Sequence, residues 1–331
     1  MNDIKRVAGL DSLRFVLAFI VLLYHTGYSH VYSIIDRNTI IGKVCSAGLD
    51  TLFNGPAAVV VFFIISGFCI HYPNRKQQNI EIIKFYCKRF IRILLPIIIC
   101  YIVLKLYGNK HSPFTNFVGW SIMCELIYYI IYPLILYSLR FINLYLLLIL
   151  FLSLSFYLVW SVNPYAFMYP SYGILGNAIL GLPCFIIGMI LATISNRERY
   201  MFLKNIVLVR ILIFLLSNLC FSFMLHFKVG FPWTLNFFAL FAFLWLNHEI
   251  LHYDSKLPIK LLEHAGKWSY SLYLVHGLIL VLYKGYDIKP YNNTLEWIFL
   301  LIIILIASYA YYLIVEKPSR ILAKRISLLM Q

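Results

Sequence analysis

Long apolar blocks separated by short polar segments run along the chain from Ser12 to Val315. Each block is near the roughly 20 residues that a helix needs to cross a bilayer. The pattern predicts an all-α integral membrane protein, a bundle of about ten transmembrane helices in a single domain spanning residues 1–331. The predicted spans are residues 12–30, 55–72, 91–107, 117–138, 143–161, 172–194, 207–226, 231–248, 268–284 and 295–315.

The composition excludes a water-soluble protein of this size, because 62% of the residues are hydrophobic and only 12% are charged. The net charge of +15 would suggest nucleic-acid binding in a soluble chain, but here the basic residues stand between apolar blocks. We therefore expect no nucleic-acid partner. The seven cysteines form an odd set without a CxxC pair, so neither a disulfide framework nor a zinc site is predicted.

The basic residues also predict the orientation of the helices. With the N-terminus in the cytoplasm, 21 of the 28 Lys and Arg residues fall in inner segments. Cytoplasmic segments of membrane proteins carry such an excess, so both termini are predicted to be cytoplasmic. The seven in outer segments are Arg37, Lys43, Lys105, Lys110, Lys228, Lys284 and Lys289.

Two charged or titratable side chains fall inside the first span. Arg14 lies near its cytoplasmic end and His25 follows eleven residues later, which returns to within about 20° of the same helix face and about 16 Å further along. This shared face favours an interior pathway lined by both groups. The alternative is that Arg14 reaches the inner headgroups while His25 bonds a neighbouring helix.

The fourth span carries a polar stripe of Ser121, Glu125, Tyr128 and Tyr132. Glu125 and His25 are predicted to lie at similar depth, because the two helices run in opposite directions and place these residues about eight and five positions from their outer ends. An imidazole and a carboxylate at one depth can act as a general base and the group that orients it. A structural pair that fixes helix packing is the alternative.

Other polar groups carry weaker signals. Arg89 and Arg92 stand in a basic inner segment read as a loop, where either phosphate binding or simple positive-inside anchoring would explain them. Ser66 and Gly67 suit close helix packing. In the last two spans, His276 at mid-membrane suggests function, whereas Glu316 beside Lys317 suits an interfacial pair.

Taken in order, seven segments resemble the acyltransferase family 3 membrane proteins, which O-acylate cell-surface glycans. They are GLDSLRFVLAFIVLLYH, FFIISGF, FYCKRFIRILLP, WSIMCELIYYIIYP, CFIIGMILA, WSYSLYLVH and VEKPSR, and they span nearly the whole chain. The resemblance rests on their order, on the Arg14 to His25 spacing, on the RxxR of Arg89 and Arg92, and on Trp120-Ser121 with its following Glu125.

The resemblance implies an O-acetyltransferase of the bacterial cytoplasmic (inner) membrane. Its donor would be cytoplasmic acetyl-CoA and its acceptor a hydroxyl of a surface glycan or its lipid-linked form, such as O-antigen, capsule or exopolysaccharide. His25 would be the essential histidine, here read as the general base with Glu125 orienting it. Arg14, Arg89 and Arg92 would lie on the donor side, and no metal is needed. The supporting residues would be Asp11, Ser66, Trp120, Ser121, His276 and Glu316.

Three alternatives remain at this level. In a transporter or lipid-linked glycan flippase, Arg14, His25 and Glu125 would bind or relay ions. The chain could also be a non-catalytic subunit of a polysaccharide assembly system. Within the enzyme hypothesis, a covalent acyl-histidine or an acyl-cysteine at Cys124 is less favoured, because a membrane-buried cysteine is normally an inert packing residue.

Overall fold

The computed structural model describes residues 7–27, 35, 36, 38–76, 80–106, 119–194, 203–284 and 294–330. This part of the chain contains α-helices and no β-strand. The helices are α1 (Leu10–Thr26), α2 (Ile40–Thr51), α3 (Gly55–Asn74), α4 (Ile82–Leu106), α5 (Gly119–Ser138), α6 (Leu144–Val162), α7 (Gly173–Thr193), α8 (Ile206–Phe227), α9 (Phe231–Ser255), α10 (Lys260–Gly266), α11 (Ser269–Lys284), α12 (Thr294–Tyr311) and α13 (Lys317–Leu329).

All ten predicted spans coincide with helices, which confirms the all-α membrane class. Within the described residues, seven helical segments are long and apolar enough to cross a membrane. Helix α1 has 17 residues, α4 is interrupted by basic side chains, and α11 is a shorter apolar helix, so these three lie outside that set. The number of crossings and the cytoplasmic location of both termini stay predictions.

The structure corrects several helix boundaries. The first helix was predicted to reach residue 30 but ends at Thr26, because Gly27 adopts a positive φ of 65° and its N–H bonds the Leu23 carbonyl. The basic segment before residue 91 was read as a loop but is helical from Ile82, since it contains no glycine or proline to end the helix. Arg89 and Arg92 therefore stand on successive turns of α4.

The chain divides into two compact units, and the boundary between them falls within α1. Unit A comprises Met1–Leu17, Pro56–Ile82 and Trp120–Gly266; unit B comprises Ala18–Gly55, Ile83–Gly119 and Lys267–Gln331. Each unit is therefore assembled from segments that are distant in sequence. The single-domain interpretation stays a prediction.

In unit A, helix α7 is the central element. It packs against α6 and α9, and α8 packs on α9. Every residue of α7 from Asn177 to Ala192 is buried except Ile179. Helix α3 approaches α7 so closely that a Cβ at Gly67 would lie 2.0 Å from the Phe185 carbonyl oxygen, and one at Gly188 would lie 1.9 Å from that of Ile64. Small residues permit this backbone approach between membrane helices.

In unit B, α11 packs against α12, and a π-helical segment, Tyr312–Glu316, joins α12 to α13. Two tyrosine hydroxyls tie these helices to α4. Tyr270 donates to the Ile93 carbonyl over 3.1 Å, and Tyr311 donates to the Pro96 carbonyl. These bonds place the basic turns of α4 beside the C-terminal helices of the unit.

Candidate active site

Two histidines meet in unit B. His25, in the last turn of α1, places its Nδ1 2.9 Å from Nε2 of His276 on α11. The other ring nitrogen of His276, Nδ1, lies 3.1 Å from the Leu272 carbonyl one helical turn earlier. His276 is 0% exposed, whereas His25 is only partly buried. The pair therefore joins a partly buried histidine to one that is wholly enclosed.

Aromatic side chains form the surroundings of this histidine pair. The ring of Tyr24 meets His25 edge-on at a centroid distance of 5.1 Å, and that of Tyr273 meets His276 edge-on at 5.8 Å. The two imidazole planes are 14° apart. Such ring contacts restrict rotation of both imidazoles, so the geometry of the pair is held by packing as well as by its hydrogen bond.

Arg14 is held within unit A. Its Nη2 donates to the Cys69 sulfur on α3 over 3.1 Å, and its Nη1 donates to Asp11 over 3.3 Å. Glu125 and Tyr129 act on the guanidinium only as weaker electrostatic partners. Arg14 is therefore held by side chains of the unit itself, from α1 and α3.

Glu125 lies in the same unit, on α5. Its Oε1 accepts a hydrogen bond of 3.0 Å from Ser66 on α3 and another from Tyr129 one turn along its own helix. Both described hydrogen bonds use this one oxygen, so the orientation of the carboxylate is set from two helices. The predicted pairing of Glu125 with His25 stays a prediction.

The Trp-Ser motif begins α5. Trp120 stacks on Tyr169 with ring centroids 5.4 Å apart and planes 9° apart, and Phe63 meets it edge-on. Ser121 is buried. The ring contacts of Trp120 therefore hold the start of the helix that carries Glu125, and the supporting roles of Trp120 and Ser121 stay predictions.

Unit B also contains a cluster of cations, here named the basic cluster. Its members are Lys84, Lys88, Arg89 and Arg92 on α4 with Arg320 and Lys324 on α13. The pKa of Lys88, which precedes the predicted span, is lowered by desolvation and then by the charges of Arg89 and Lys324. Mutual repulsion of this kind indicates a surface suited to an anionic ligand.

Glu316 is wholly buried beside this cluster. It accepts hydrogen bonds from the backbone N–H and the hydroxyl of Ser271, at 3.1 and 2.5 Å, and forms an ion pair with Arg320. Its partners are thus on α11 and α13, and the expected interfacial pair with Lys317 is replaced by these buried contacts. The π-helical segment that ends at Glu316 turns the carboxylate inward.

Sequence reasoning missed several of these partners. It did not anticipate the contact of His276 with His25, the contact of Cys69 with Arg14, or the contribution of α13 to the basic cluster. A signal existed for Cys69, which follows Ser66 by three residues and so shares its helix face. Within the described residues, no group of three potential ligand side chains is arranged to hold a metal ion.

Most of the residues described above lie within the seven segments on which the resemblance rests. A family model described as an acyltransferase domain matches residues 7–313. The chain belongs to acyltransferase family 3. This confirms the resemblance over nearly the whole chain and makes the protein a membrane acyltransferase. No curated protein and no solved structure matches it.

Proposed function

We propose that this acyltransferase family 3 protein transfers an acetyl group from cytoplasmic acetyl-CoA to a hydroxyl of a bacterial surface glycan. The observation that carries the proposal is the position of His25, a partly buried residue in the predicted first membrane span whose Nδ1 is held 2.9 Å from His276. A titratable group retained and oriented within a membrane span is typical of a functional site.

In the proposed reaction, His25 is the general base. It takes the proton of the acceptor hydroxyl as the oxygen attacks the thioester carbonyl. The C–S bond then breaks, the acetyl group stays on the acceptor oxygen, and the proton leaves with the CoA thiolate. A base of this kind contributes typically about 100- to 10,000-fold to the rate.

The donor is proposed to bind through its phosphate groups to the basic cluster, with Arg89 and Arg92 as its main contacts. Guanidinium groups form strong, often bidentate hydrogen bonds to phosphate. The cluster supports this role because six cations from α4 and α13 are close enough to interact with one another, and of these Arg320 is paired with a carboxylate, Glu316. Arg14 is retained as a donor-side residue, and its contacts with Asp11 and Cys69 fix its direction.

The sequence predicted that Glu125 orients His25; here Glu125 is proposed only as a supporting carboxylate of the enzyme, and its orienting role is left to the Glu125→Gln variant to test. The fixed hydrogen bonds from Ser66 and Tyr129 support a role that needs a carboxylate of defined orientation. The acceptor is a surface glycan or its lipid-linked form, and the enzyme resides in the bacterial cytoplasmic membrane with both termini inside.

The test is acetyl transfer by the purified protein, using labelled acetyl-CoA and extracted surface glycan, with CoA release measured in parallel. His25→Ala should bind donor and remain monodisperse but lose about 100- to 10,000-fold in transfer. Glu125→Gln should lose less. His226→Ala, which removes an exposed histidine at the end of α8, is the matched control and should keep full activity.

Near-normal transfer by His25→Ala would exclude the proposed base. If the wild-type protein binds glycan but never consumes acetyl-CoA, the transporter or flippase hypothesis replaces the enzyme. Loss of donor binding in His25→Ala, with folding intact, would instead place His25 at the thioester.

A further inference from the structure

We propose that His276 is a positioning residue that holds His25 as its Nδ1–H tautomer, so that Nε2 is the nitrogen that receives the acceptor proton. The inference rests on the proposed function of His25 as the general base. It adds a residue that the sequence marked only as supporting, and it assigns the reactive atom of the base.

The Leu272 carbonyl determines the tautomer of His276. A carbonyl oxygen can only accept a hydrogen bond, so the 3.1 Å contact requires a proton on Nδ1 of His276. A neutral imidazole with its proton on Nδ1 has its lone pair on Nε2. Because His276 is 0% exposed, adding a second proton would bury an extra charge at high cost. His276 therefore offers Nε2 as an acceptor.

The tautomer of His25 follows from that of its partner. Its Nδ1 lies 2.9 Å from the accepting Nε2 of His276, so a hydrogen bond between them requires a proton on Nδ1 of His25. The lone pair of His25 is then on Nε2, the nitrogen remote from the backbone. The two contacts form a directional chain in which His25 donates to His276 and His276 donates to the Leu272 carbonyl.

This chain of two hydrogen bonds strengthens when His25 becomes protonated. When Nε2 of His25 takes the hydroxyl proton, the imidazole becomes a cation and its Nδ1–H becomes a charge-assisted donor to His276. An interaction that strengthens as the reaction proceeds raises kcat more than it lowers KM. His276 thus does the work that a carboxylate does in a Ser-His-Asp triad, fixing the tautomer and stabilising the imidazolium.

The packing around the pair limits alternative arrangements. The edge-on contacts of Tyr24 with His25 and of Tyr273 with His276 oppose ring rotation. With Nδ1 of His25 engaged by His276, an orienting carboxylate would have no proton-bearing ring nitrogen left to accept from in the neutral state. The inference therefore makes His276, and not Glu125, the residue that orients His25.

The experiment compares two replacements of His276 in the purified full-length protein. His276→Phe keeps a planar ring for packing but removes the acceptor, and we expect kcat to fall by about 100-fold or more with an unchanged KM for acetyl-CoA. His276→Gln supplies a side-chain carbonyl that can accept from Nδ1–H of His25, and should recover at least about tenfold of that loss. His71→Phe, which removes another buried histidine outside the pair, is the matched control for folding and should keep kcat.

A spectroscopic measurement tests the tautomer without relying on activity. In wild-type protein labelled with 15N-histidine, the signals lost in His25→Ala should show a protonated Nδ1 and an unprotonated Nε2. An Nε2–H tautomer at His25 would overturn the inference, as would full kcat in folded His276→Phe. A larger loss of kcat in Glu125→Gln than in His276→Phe would also overturn it and restore Glu125 as the orienting residue.

The outcomes also separate this inference from the proposed function. If His25→Ala is inactive while His276→Phe is fully active, the general base stands and only the role of His276 fails. If His25→Ala is active, the proposed function itself fails. If His276→Phe does not fold, the wild-type tautomer and the His276→Gln variant still decide the question.

Discussion

Glu263 caps the beginning of α1 from a helix that lies 254 positions later in the chain. One carboxylate oxygen accepts from the backbone N–H of Gly9 over 2.6 Å, and the other accepts from that of Ser12 over 3.0 Å. The first N–H groups of a helix have no partner within the helix, so the Glu263 carboxylate supplies hydrogen-bond acceptors for two of them. It also places negative charge at the positive end of the helix dipole.

We predict that Glu263→Ala destabilises the protein and weakens donor binding through Arg14. Loss of a helix cap typically costs about 1 kcal/mol, and the first turns of α1 carry Arg14. Thermal unfolding in detergent should occur at a lower temperature, and the KM for acetyl-CoA should rise more than kcat falls. Asp254→Asn, at an exposed carboxylate near the end of α9, is the control. A KM for acetyl-CoA in Glu263→Ala equal to that of the wild type would show that the cap does not affect donor binding.

Replacement of Arg89 and Arg92 by Ala tests the donor contacts on α4. Each guanidinium can contribute about 1.5 to 3 kcal/mol through charge-assisted bonds, so the double variant should raise the KM for acetyl-CoA at least tenfold, with Arg89 and Arg92 acting together. Lys105→Ala, at the opposite end of the same helix, should leave it unchanged. An unaltered KM in a monodisperse double variant would show that the two arginines do not bind the donor and serve only to orient the helix in the membrane.

Replacing Lys88 should have opposite effects on the stability of the protein and on its affinity for the donor. Its pKa is lowered by desolvation and by neighbouring cations, so its charged form is disfavoured in the folded state. That penalty is fully present at neutral pH and disappears as the pH rises above the lowered value toward the ordinary 10.5. Lys88 is an exposed residue, so solvent screens part of this repulsion. Lys88→Gln should therefore raise the thermal stability of the donor-free protein only slightly at neutral pH while raising the KM for acetyl-CoA.

The Lys88 experiment has two internal checks. The stabilisation should shrink as the pH is raised, because wild-type Lys88 then loses its proton and its penalty. Saturating acetyl-CoA should also reduce the difference, since phosphate neutralises the repulsion in the wild type. A Lys88→Gln variant less stable than wild type at neutral pH would show that the cluster is not electrostatically strained.

The predicted orientation is tested by thiol labelling with an impermeant reagent in intact cells. Cys45 is exposed on α2 and is predicted to face outward, so it should be labelled. A cysteine introduced at Lys256, in the exposed segment after α9, should react only after the membrane is disrupted. Labelling of position 256 in intact cells, with Cys45 reacting only after disruption, would reverse the topology.

The amino-acid sequence determined where the helices lie, because apolar length is a local property that follows directly from the distance a chain must cross in lipid. It also identified the family, since the ordered segments from Arg14 to Glu316 are themselves sequence features. The sequence predicted the ends of the helices less well than their positions. The helix over Lys84 to Arg92 was read as a loop because basic residues suggest solvent, although nothing in the segment ends a helix.

Tertiary structure alone decided which polar groups meet. The membrane helices are apolar on almost every side, so their sequences contain little information about which face turns toward a neighbour. His25 and His276 are 251 positions apart and each reads locally as an isolated intramembrane histidine. Their contact depends on packing α11 against the end of α1, which brings a backbone carbonyl and two imidazoles into line. In the proposed reaction that alignment selects the nitrogen that takes the proton, because hydrogen-bond direction is fixed only when both partners are in place.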